Sequence, residues 1–520
     1  MKKEKQLMKK SLITLLAASS LMASAGIAAA DTAGAIALYG SSAQAAYWNA
    51  QAATWLTGQA ANGGMGCTHA TTATAVKVPS TSSASYAGTT HYQIVGTGCT
   101  NPDALAVASN GTLTVLYTAN DSVTGIQSVA GAINADGCPS ANQRVMYPAT
   151  GVINCQTVHV GVADVAGESI VQTSSGNKFG PMGGPAVNPN YTAAAYPPNG
   201  GLNTAAMGLS YINPGFNGTL ATPFGFFANK GVTATQCTSG LIGSYCGTPL
   251  DNSPNNAITG NSNSDYLTTG NQTAINHQCD TAYGSNDGTC GPAAPITNIS
   301  RLEAALLFSG KIANWNNLGT YFTPQPVTLC MRQAGSGTQA TFDWAVMRAG
   351  GTGWGATALT NQKVSANGLS VYFNQASADM ANCINGETSA NGGTPTVMGA
   401  IGFMDADTVV GTSASNLDVV RLAYQGVYPT RYAVRNGLYD FYALAWFYMT
   451  QANYTGDSNN QAPVTAIGQL ASDMITFAQD PDNMAPAKAN YWATQLEMNV
   501  VKGTDQSYPA ATVVAWPMQP

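Results

Sequence analysis

Three short apolar segments of this 520-residue chain each end in a turn of small or hydroxyl-bearing residues and pass directly into a helical pattern. The segments are 35–39, 112–117 and 326–331, and the turns that follow them are 40–42, 120–122 and 332–338. A fourth strand is predicted over 158–165, with Asp164 at its end. Strands that alternate with helices in this way indicate α/β layers and largely parallel sheets.

The turns have the composition of anion-binding sites. The first residues of a helix present backbone N–H groups without an intrahelical acceptor, at the positive end of the helix dipole. Arg332 adds a planar guanidinium suited to a tetrahedral oxyanion. Asp164 is a hydrogen-bond acceptor, which favours a ligand that still carries a proton, as phosphate does near neutral pH.

The third turn and its surroundings also resemble a known family. Residues 332–338 (RQAGSGT) resemble the R-x-x-G-S-G-T loop of the phosphate-binding subunit of bacterial high-affinity phosphate ABC transporters. Residues 302–318 (LEAALLFSGKIANWNNL) resemble that family's F-x-G-K-I-x-x-W segment, and 399–403 (GAIGF) and 428–448 resemble two later segments. The resemblance is strong over 298–448, fair over 35–55 and 114–171, and absent through most of 173–300.

The resemblance implies a two-lobed α/β fold of the type II periplasmic-binding-protein class, with a hinge and long loop insertions. It implies lobe I over 31–220 and 411–520, and lobe II over 221–410. The phosphate-binding residues that it implies are Ser42, Ser122, Asp164, Arg332, Ser336, Gly337 and Thr338.

The chain departs from the family's pattern at several positions. The family's S-F-P after the first loop is here Ser42 followed by Ala43 and Gln44, and alanines replace a serine at 163 and an acid at 334. The second loop is ambiguous, because residues 92–98 (YQIVGTG) also resemble it and would offer Thr97. Ser122 is preferred, since with Gly125 it fits a helix start better.

The first 30 residues have the pattern of a signal peptide. Five lysines precede the apolar run 12–23, and small residues at 28–30 predict cleavage after Ala30. No cysteine stands directly after this position, so we expect no lipid anchor and a periplasmic or secreted protein. The later apolar run 439–449 is too short to span a bilayer, and it is predicted to form a buried helix.

Charge excludes one class of partner. Cleavage would remove five Lys and one Glu, so Lys+Arg falls from 19 to 14, Asp+Glu from 25 to 24, and the net charge changes from -6 to -10. A nucleic-acid partner, which needs a basic surface, is therefore not expected.

Ten cysteines in an exported chain predict disulfides. Their spacing suggests the pairs Cys67–Cys99, Cys138–Cys155, Cys237–Cys246, Cys279–Cys290 and Cys330–Cys383, although spacing does not determine connectivity. Metal binding is not expected, because there is no C-x-x-C and the histidines at 69, 91, 159 and 277 are scattered. Long surface loops are predicted over 173–298, and no repeat of fixed period is present.

The favoured function is a monomeric receptor that closes on inorganic phosphate or a similar oxyanion and delivers it to an ABC permease, without a cofactor and without catalysis. A secreted structural or matrix protein that keeps the fold without transport is the alternative. A secreted phosphatase is a weaker one, because it needs an activated nucleophile or two metals and no Asp/His cluster supplies them.

Overall fold

The computed structural model describes most of the chain in several stretches. These are residues 31–79, 86, 88–132, 136–147, 152–167, 170, 202–212, 219–237, 290–319, 322–332, 335–347, 363–364, 369–374, 376–386, 399–414, 416–455, 462–502 and 513–515. The predicted signal peptide lies outside them.

The described residues contain strands β1–β26 and helices α1–α8. Strands β1 to β9 are Ala35–Ser41, His69–Ala70, Thr74–Lys77, Thr90–Thr97, Thr112–Asn120, Gln143–Met146, Asn154–Thr157, Val160–Ala163 and Leu209–Ile212. Strands β10 to β18 are Leu220–Asn229, Thr233–Cys237, Cys290–Pro295, Asn298–Ile299, Thr328–Arg332, Lys363–Val364, Ser370–Asn374, Ala400–Asp405 and Val419–Arg421. Strands β19 to β26 are Ala423–Tyr424, Tyr442–Leu444, Trp446–Thr450, Tyr454–Thr455, Ala462–Pro463, Ala493–Thr494, Val500–Lys502 and Val513–Ala515.

The helices alternate with these strands. Helices α1 to α8 are Ser42–Thr57, Pro102–Val107, Ser122–Val129, Arg301–Phe308, Gly337–Phe342, Ser377–Asn385, Arg431–Arg435 and Ala466–Gln479. Helix α5 continues as the π-helix Asp343–Met347. Short 3-10 turns are Ala60–Asn62, Trp315–Asn317, Pro481–Asn483 and Gln495–Glu497.

Two large mixed sheets form the two lobes. The first has the order β2-β4-β5-β1-β8-β21-β9, with β3 beside β4, and the second has the order β15-β16-β14-β17-β10-β18, with β20 and β24 beside β10. In the first sheet β1 lies parallel to both β5 and β8, and in the second β14 lies parallel to both β16 and β17. Each lobe therefore has a central group of three parallel strands.

Side-chain caps begin the helices that follow these strands. The side chains of Ser41, Asp121 and Ser336 accept backbone N–H groups at the starts of α1, α3 and α5. Ser300 and Glu303 form a capping box at the start of α4. Because each cap satisfies an otherwise unpaired N–H, these residues set where strand gives way to helix.

The chain passes from the first sheet to the second between β9 and β10, returns between β20 and β21 around the buried Ala445, and reaches the second sheet again at β24. The predicted division assigns 411–444 to lobe I, whereas the strand pairing of β18 and β20 lies with the second sheet. We therefore propose a boundary near Ala445 in place of the one after residue 410.

Two predictions about local structure are wrong. The run 439–449 contains β20 and β21, not a helix, because its aromatic side chains are buried between sheet neighbours rather than along one helical face. The predicted loop region contains strands β9, β10 and β11, and β10 is buried along its whole length and pairs with four other strands. Among the described helices, none combines the length and apolarity needed to cross a membrane.

Three of the predicted disulfides are confirmed: Cys67–Cys99, Cys138–Cys155 and Cys330–Cys383. The predicted partners of Cys237 and Cys290, at positions 246 and 279, lie outside the described residues. The β11–β12 ladder places Cys237 opposite Cys290 in register.

Candidate functional site

Two groups of three parallel strand ends carry the predicted site residues. In the first lobe, β5, β1 and β8 end near Ser122, Ser41 and Asp164. In the second lobe, β14 ends at Arg332 and β17 at Asp405. Ligands of α/β proteins bind at the carboxyl ends of such strands, so both edges are suited to a shared site.

The first edge is organised around Asp164. Ser41 donates its hydroxyl to the Asp164 carboxylate, and the same Oγ accepts from Gln44 N at 3.2 Å. The Ser122 Oγ accepts from the backbone N–H of Asp164 at 3.0 Å. The Tyr117 hydroxyl donates to the carbonyl of Ser41 at 2.7 Å. All three loops of this edge are thus held together by hydrogen bonds.

The Asp164 side chain is 3% exposed, and burial raises its pKa to about 7. The Ser41 hydrogen bond and the Arg332 charge oppose this shift, while the Asp405 charge adds to it. A carboxyl group that titrates near neutral pH can share a proton with a ligand oxygen.

The second edge supplies the positive charge. Arg332 is 2% exposed and donates from Nη1 to Thr338 Oγ1 at 3.4 Å. Burial lowers the pKa of Arg332, whereas carboxylates raise it, first Asp405 and then Asp164. A desolvated guanidinium needs anionic partners. The two carboxylates with the largest effect on its pKa, Asp405 and Asp164, come from different lobes.

The two edges are in direct contact. The Val123 N–H donates to the Gly335 carbonyl at 3.2 Å. A Cβ atom placed on Gly337 would lie 2.4 Å from Ser122 Oγ and 2.7 Å from Asp164 Cβ. Only a residue without a side chain fits there, so glycine is needed for this close approach of the lobes.

The structure brings together most of the residues that the sequence singled out. Ser122, Asp164, Arg332, Gly337 and Thr338 lie at the two facing edges, and Ser336 caps α5 through Gln339 N at 3.4 Å. Their roles toward a ligand stay predictions.

Two positions differ from what the sequence suggested. Ser42 is the half-buried first residue of α1, while its neighbour Ser41 makes the contact with Asp164. Thr97 pairs with Thr112 at the far end of β5 from Ser122, so the structure does not bring Thr97 to the site. Sequence reasoning missed Ser41, although its place just before a helix start was the available signal.

Within the described part of the chain, no group of three or more His, Cys, Asp or Glu side chains is placed to hold a metal ion. The chemistry of the site is that of hydrogen-bond donors, one guanidinium and buried carboxyl groups. This arrangement can bind an anion and discriminate its protonation state.

The chain passes between two sheets, and the carboxyl ends of their parallel strands face each other. This is the architecture of the two-lobed periplasmic-binding-protein class of α/β fold, which confirms the predicted fold class. Residues 277–466 match the family model of the PBP superfamily domain, a span shorter than half the chain that includes Arg332, Gly337 and Asp405. No curated protein matches the sequence.

Several solved structures are similar at low identity. An ABC-type phosphate transport receptor from Vibrio cholerae is 11% identical, with 70% of this chain and 82% of that chain covered and a TM-score of 0.30. PstS from Borrelia burgdorferi is 10% identical, with coverage of 69% and 80% and a TM-score of 0.27. A phosphate-binding protein from Stenotrophomonas maltophilia is 11% identical, with coverage of 85% and 90% and a TM-score of 0.33. Because these TM-scores are below 0.5, the proposals below rest on the residues of this chain.

Proposed function

We propose that this chain is an exported binding protein that closes its two lobes on inorganic phosphate or a similar tetrahedral oxyanion and presents it to an ABC permease. The observation that carries the proposal is the meeting of Ser122, Asp164 and Gly337, three residues far apart in sequence, at the contact between the lobes. All three are phosphate-binding positions that the sequence resemblance implies.

The positive charge and the N–H donors favour an anion. Arg332 offers a guanidinium fork, and the start of α5 lies beside it, where Thr338 Oγ1 accepts from Arg332. Helix α5 is prolonged by the π-helix Asp343–Met347, so its N-terminal N–H groups belong to a longer helical segment. These donors need no mobile counter-ion to bind a tetrahedral oxyanion.

Asp164 favours an anion that carries a proton. Its carboxylate can accept a hydrogen bond from a protonated phosphate oxygen, but it repels an oxygen of sulfate, which has no proton near neutral pH. Such a pairing of like charges in a desolvated place costs several kcal/mol. The site therefore supports phosphate over sulfate.

The same arrangement supports binding rather than catalysis. The described residues near Asp164 offer hydroxyl groups already engaged in caps or carboxylate contacts, and no histidine lies with them as a base. Delivery to a permease and export with cleavage after Ala30 complete the proposal.

Calorimetry of the purified chain against phosphate, arsenate, sulfate and molybdate tests this function. We expect phosphate and arsenate to bind, and sulfate and molybdate to bind at least about a hundredfold more weakly, or about 2.8 kcal/mol. Equal affinity for sulfate, or the absence of phosphate binding, would contradict the proposal. Phosphate uptake by cells with and without the gene then tests the link to transport.

A further inference from the structure

The two lobes repeat one connection pattern around their parallel strands. In the first lobe the chain forms the central strand β1, then the flanking β5, and then β8, which leads to Asp164. In the second lobe it forms the central strand β14, then the flanking β16, and then β17, which ends at Asp405. Asp405 thus holds in the second lobe the topological place of Asp164 in the first.

The serines that begin the following helices also correspond. Ser122 begins the helix after β5, and its Oγ accepts from the backbone N–H of Asp164. Ser377 begins the helix after β16, and its Oγ donates to Asp405 Oδ2 at 2.9 Å. The correspondence therefore extends from the strands to a serine at the start of the next helix, which bonds each aspartate residue.

Asp405 has one oxygen left for a ligand. Its side chain is 9% exposed, Oδ2 is bound by Ser377, and Oδ1 has no hydrogen-bond partner among the described residues. A buried acceptor of this kind carries a free-energy cost that a bound hydrogen-bond donor would remove.

Three charged side chains influence Asp405. Arg332 lies on the neighbouring strand, Asp407 follows on the same segment, and Lys488 pairs with Asp407 from the C-terminal segment. Burial raises the pKa of Asp405, with Asp407 adding to the shift and Arg332 and Lys488 opposing it. Asp405 in turn raises the pKa of Asp164 across the cleft.

We propose that Asp405 is a second carboxylate hydrogen-bond acceptor of the anion site, so that the bound ligand is a tetrahedral oxyanion with two hydroxyl groups, such as dihydrogen phosphate. This inference rests on the proposed function. One ligand hydroxyl donates to Asp164 and the other to Asp405 Oδ1. The two remaining oxygens, which carry the single negative charge, accept from Arg332 and from the Gly337 and Thr338 backbone at the start of α5.

The proposal has a consequence for proton balance. Above the pH at which phosphate loses its second proton, the free ligand carries one hydroxyl and the bound ligand carries two. Binding must then take up about one proton, and the apparent affinity should fall about tenfold for each further pH unit, as linkage requires. A site with a single carboxylate acceptor for a ligand hydroxyl would bind the phosphate dianion without this proton uptake.

Calorimetry of phosphate binding at pH 8, in buffers that differ in their enthalpy of ionisation, measures the uptake directly. We expect about one proton for the native chain and about none for Asp405→Asn, because an amide can donate to the deprotonated oxygen. The native affinity should decline with pH, and that of the variant should stay nearly level.

Asp379→Asn is the matched control. Asp379 lies in the first turn of α6, accepts from Ala376 N at 3.2 Å, and acts on Arg332 as a charge, but it has no place in the proposed ligand contacts. This variant should keep the native uptake, which separates loss of a charge from loss of the acceptor.

The outcomes separate the two proposals. Phosphate binding by the native chain without proton uptake at pH 8, or unchanged uptake in Asp405→Asn, would overturn the second acceptor and leave the proposed function standing. No phosphate binding by the native chain would overturn both. Uptake that is lost in Asp405→Asn and kept in Asp379→Asn would support the inference.

Discussion

The two lobes place the same chain connections at the same edge, yet their central strands end in different chemistry. In the first lobe β1 ends at Ser41, a neutral hydroxyl that donates to Asp164. In the second lobe β14 ends at Arg332, a buried guanidinium. The central strand of the first lobe thus ends in a neutral hydroxyl, and that of the second lobe ends in the cation.

This difference separates affinity from selectivity. In the proposed function, the Arg332 guanidinium attracts every tetrahedral anion, so the second lobe would determine how tightly anions bind as a class. In the proposed function, the Asp164 carboxylate repels unprotonated oxygens, so the first lobe would contribute to the choice between anions. Closure brings the two together, since Gly337 approaches Ser122 and Asp164 directly.

The largest effect is expected from the cation of the second lobe. Arg332→Ala should weaken phosphate binding by about 2 to 5 kcal/mol, the range for losing one partner of a desolvated hydrogen-bonded charge pair. Arg332→Lys should rescue only part of this loss, because an ammonium does not reproduce the fork. Calorimetry measures both variants.

Arg435→Ala is the control for this experiment. It removes one positive charge from the same lobe, and its side chain is 41% exposed and 3.9 Å from Glu497. Its phosphate affinity should equal that of the native chain. Unchanged affinity in Arg332→Ala would show that the assigned site is wrong.

Asp164→Asn should act on selectivity instead. The amide can turn a donor toward an unprotonated oxygen, so sulfate affinity should rise while phosphate affinity falls or stays level. The ratio should collapse from about a hundredfold, or about 2.8 kcal/mol, toward unity. Competition titrations with both anions provide the measurement. A variant that keeps its selectivity would show that Asp164 is not the residue that distinguishes protonated from unprotonated anions.

Gly337→Ala tests the contact between the lobes. The added methyl group would meet Ser122 Oγ at 2.4 Å and Asp164 Cβ at 2.7 Å, so the closed arrangement should lose about 1 to 3 kcal/mol, the usual cost of overpacking. Each lobe should still fold. Thermal unfolding is expected to show a smaller phosphate-induced rise in Tm, and an undiminished rise would contradict the close approach.

The smallest effect concerns a buried carboxyl of the second lobe further along the α5 segment. Burial raises the pKa of Asp343 to about 8, so its contribution to stability is present below about pH 4 and is lost as pH rises through 8. The free energy of unfolding of the native chain should therefore fall between pH 5 and pH 8. In Asp343→Asn this fall should be smaller by at least about 1 kcal/mol, the equivalent of one pKa unit.

Denaturant unfolding at both pH values measures the effect of Asp343→Asn. Phosphate affinity should not change, because Asp343 bonds to Gln339 rather than to the residues of the facing edges. Equal stability differences at the two pH values would show that Asp343 does not titrate in this range.

Local patterns in the sequence were sufficient to predict the strand–turn–helix units. The positions of β1, β5 and β14 and of the turns that follow them depend on contacts within a few residues, so composition and spacing reveal them. The same holds for the loop 332–338, which led to Arg332 and Gly337.

Tertiary structure alone decided which residues meet. An aromatic run around Tyr442 and Trp446 fits either a buried helix or buried strands, and pairing with β10 and β8 selected strands. Ser41 rather than Ser42 contacts Asp164, because the direction of a side chain at a helix start depends on the cap geometry. Asp405 gained its place beside Arg332 only through the pairing of β17 with β14, a contact between distant segments that no local pattern encodes.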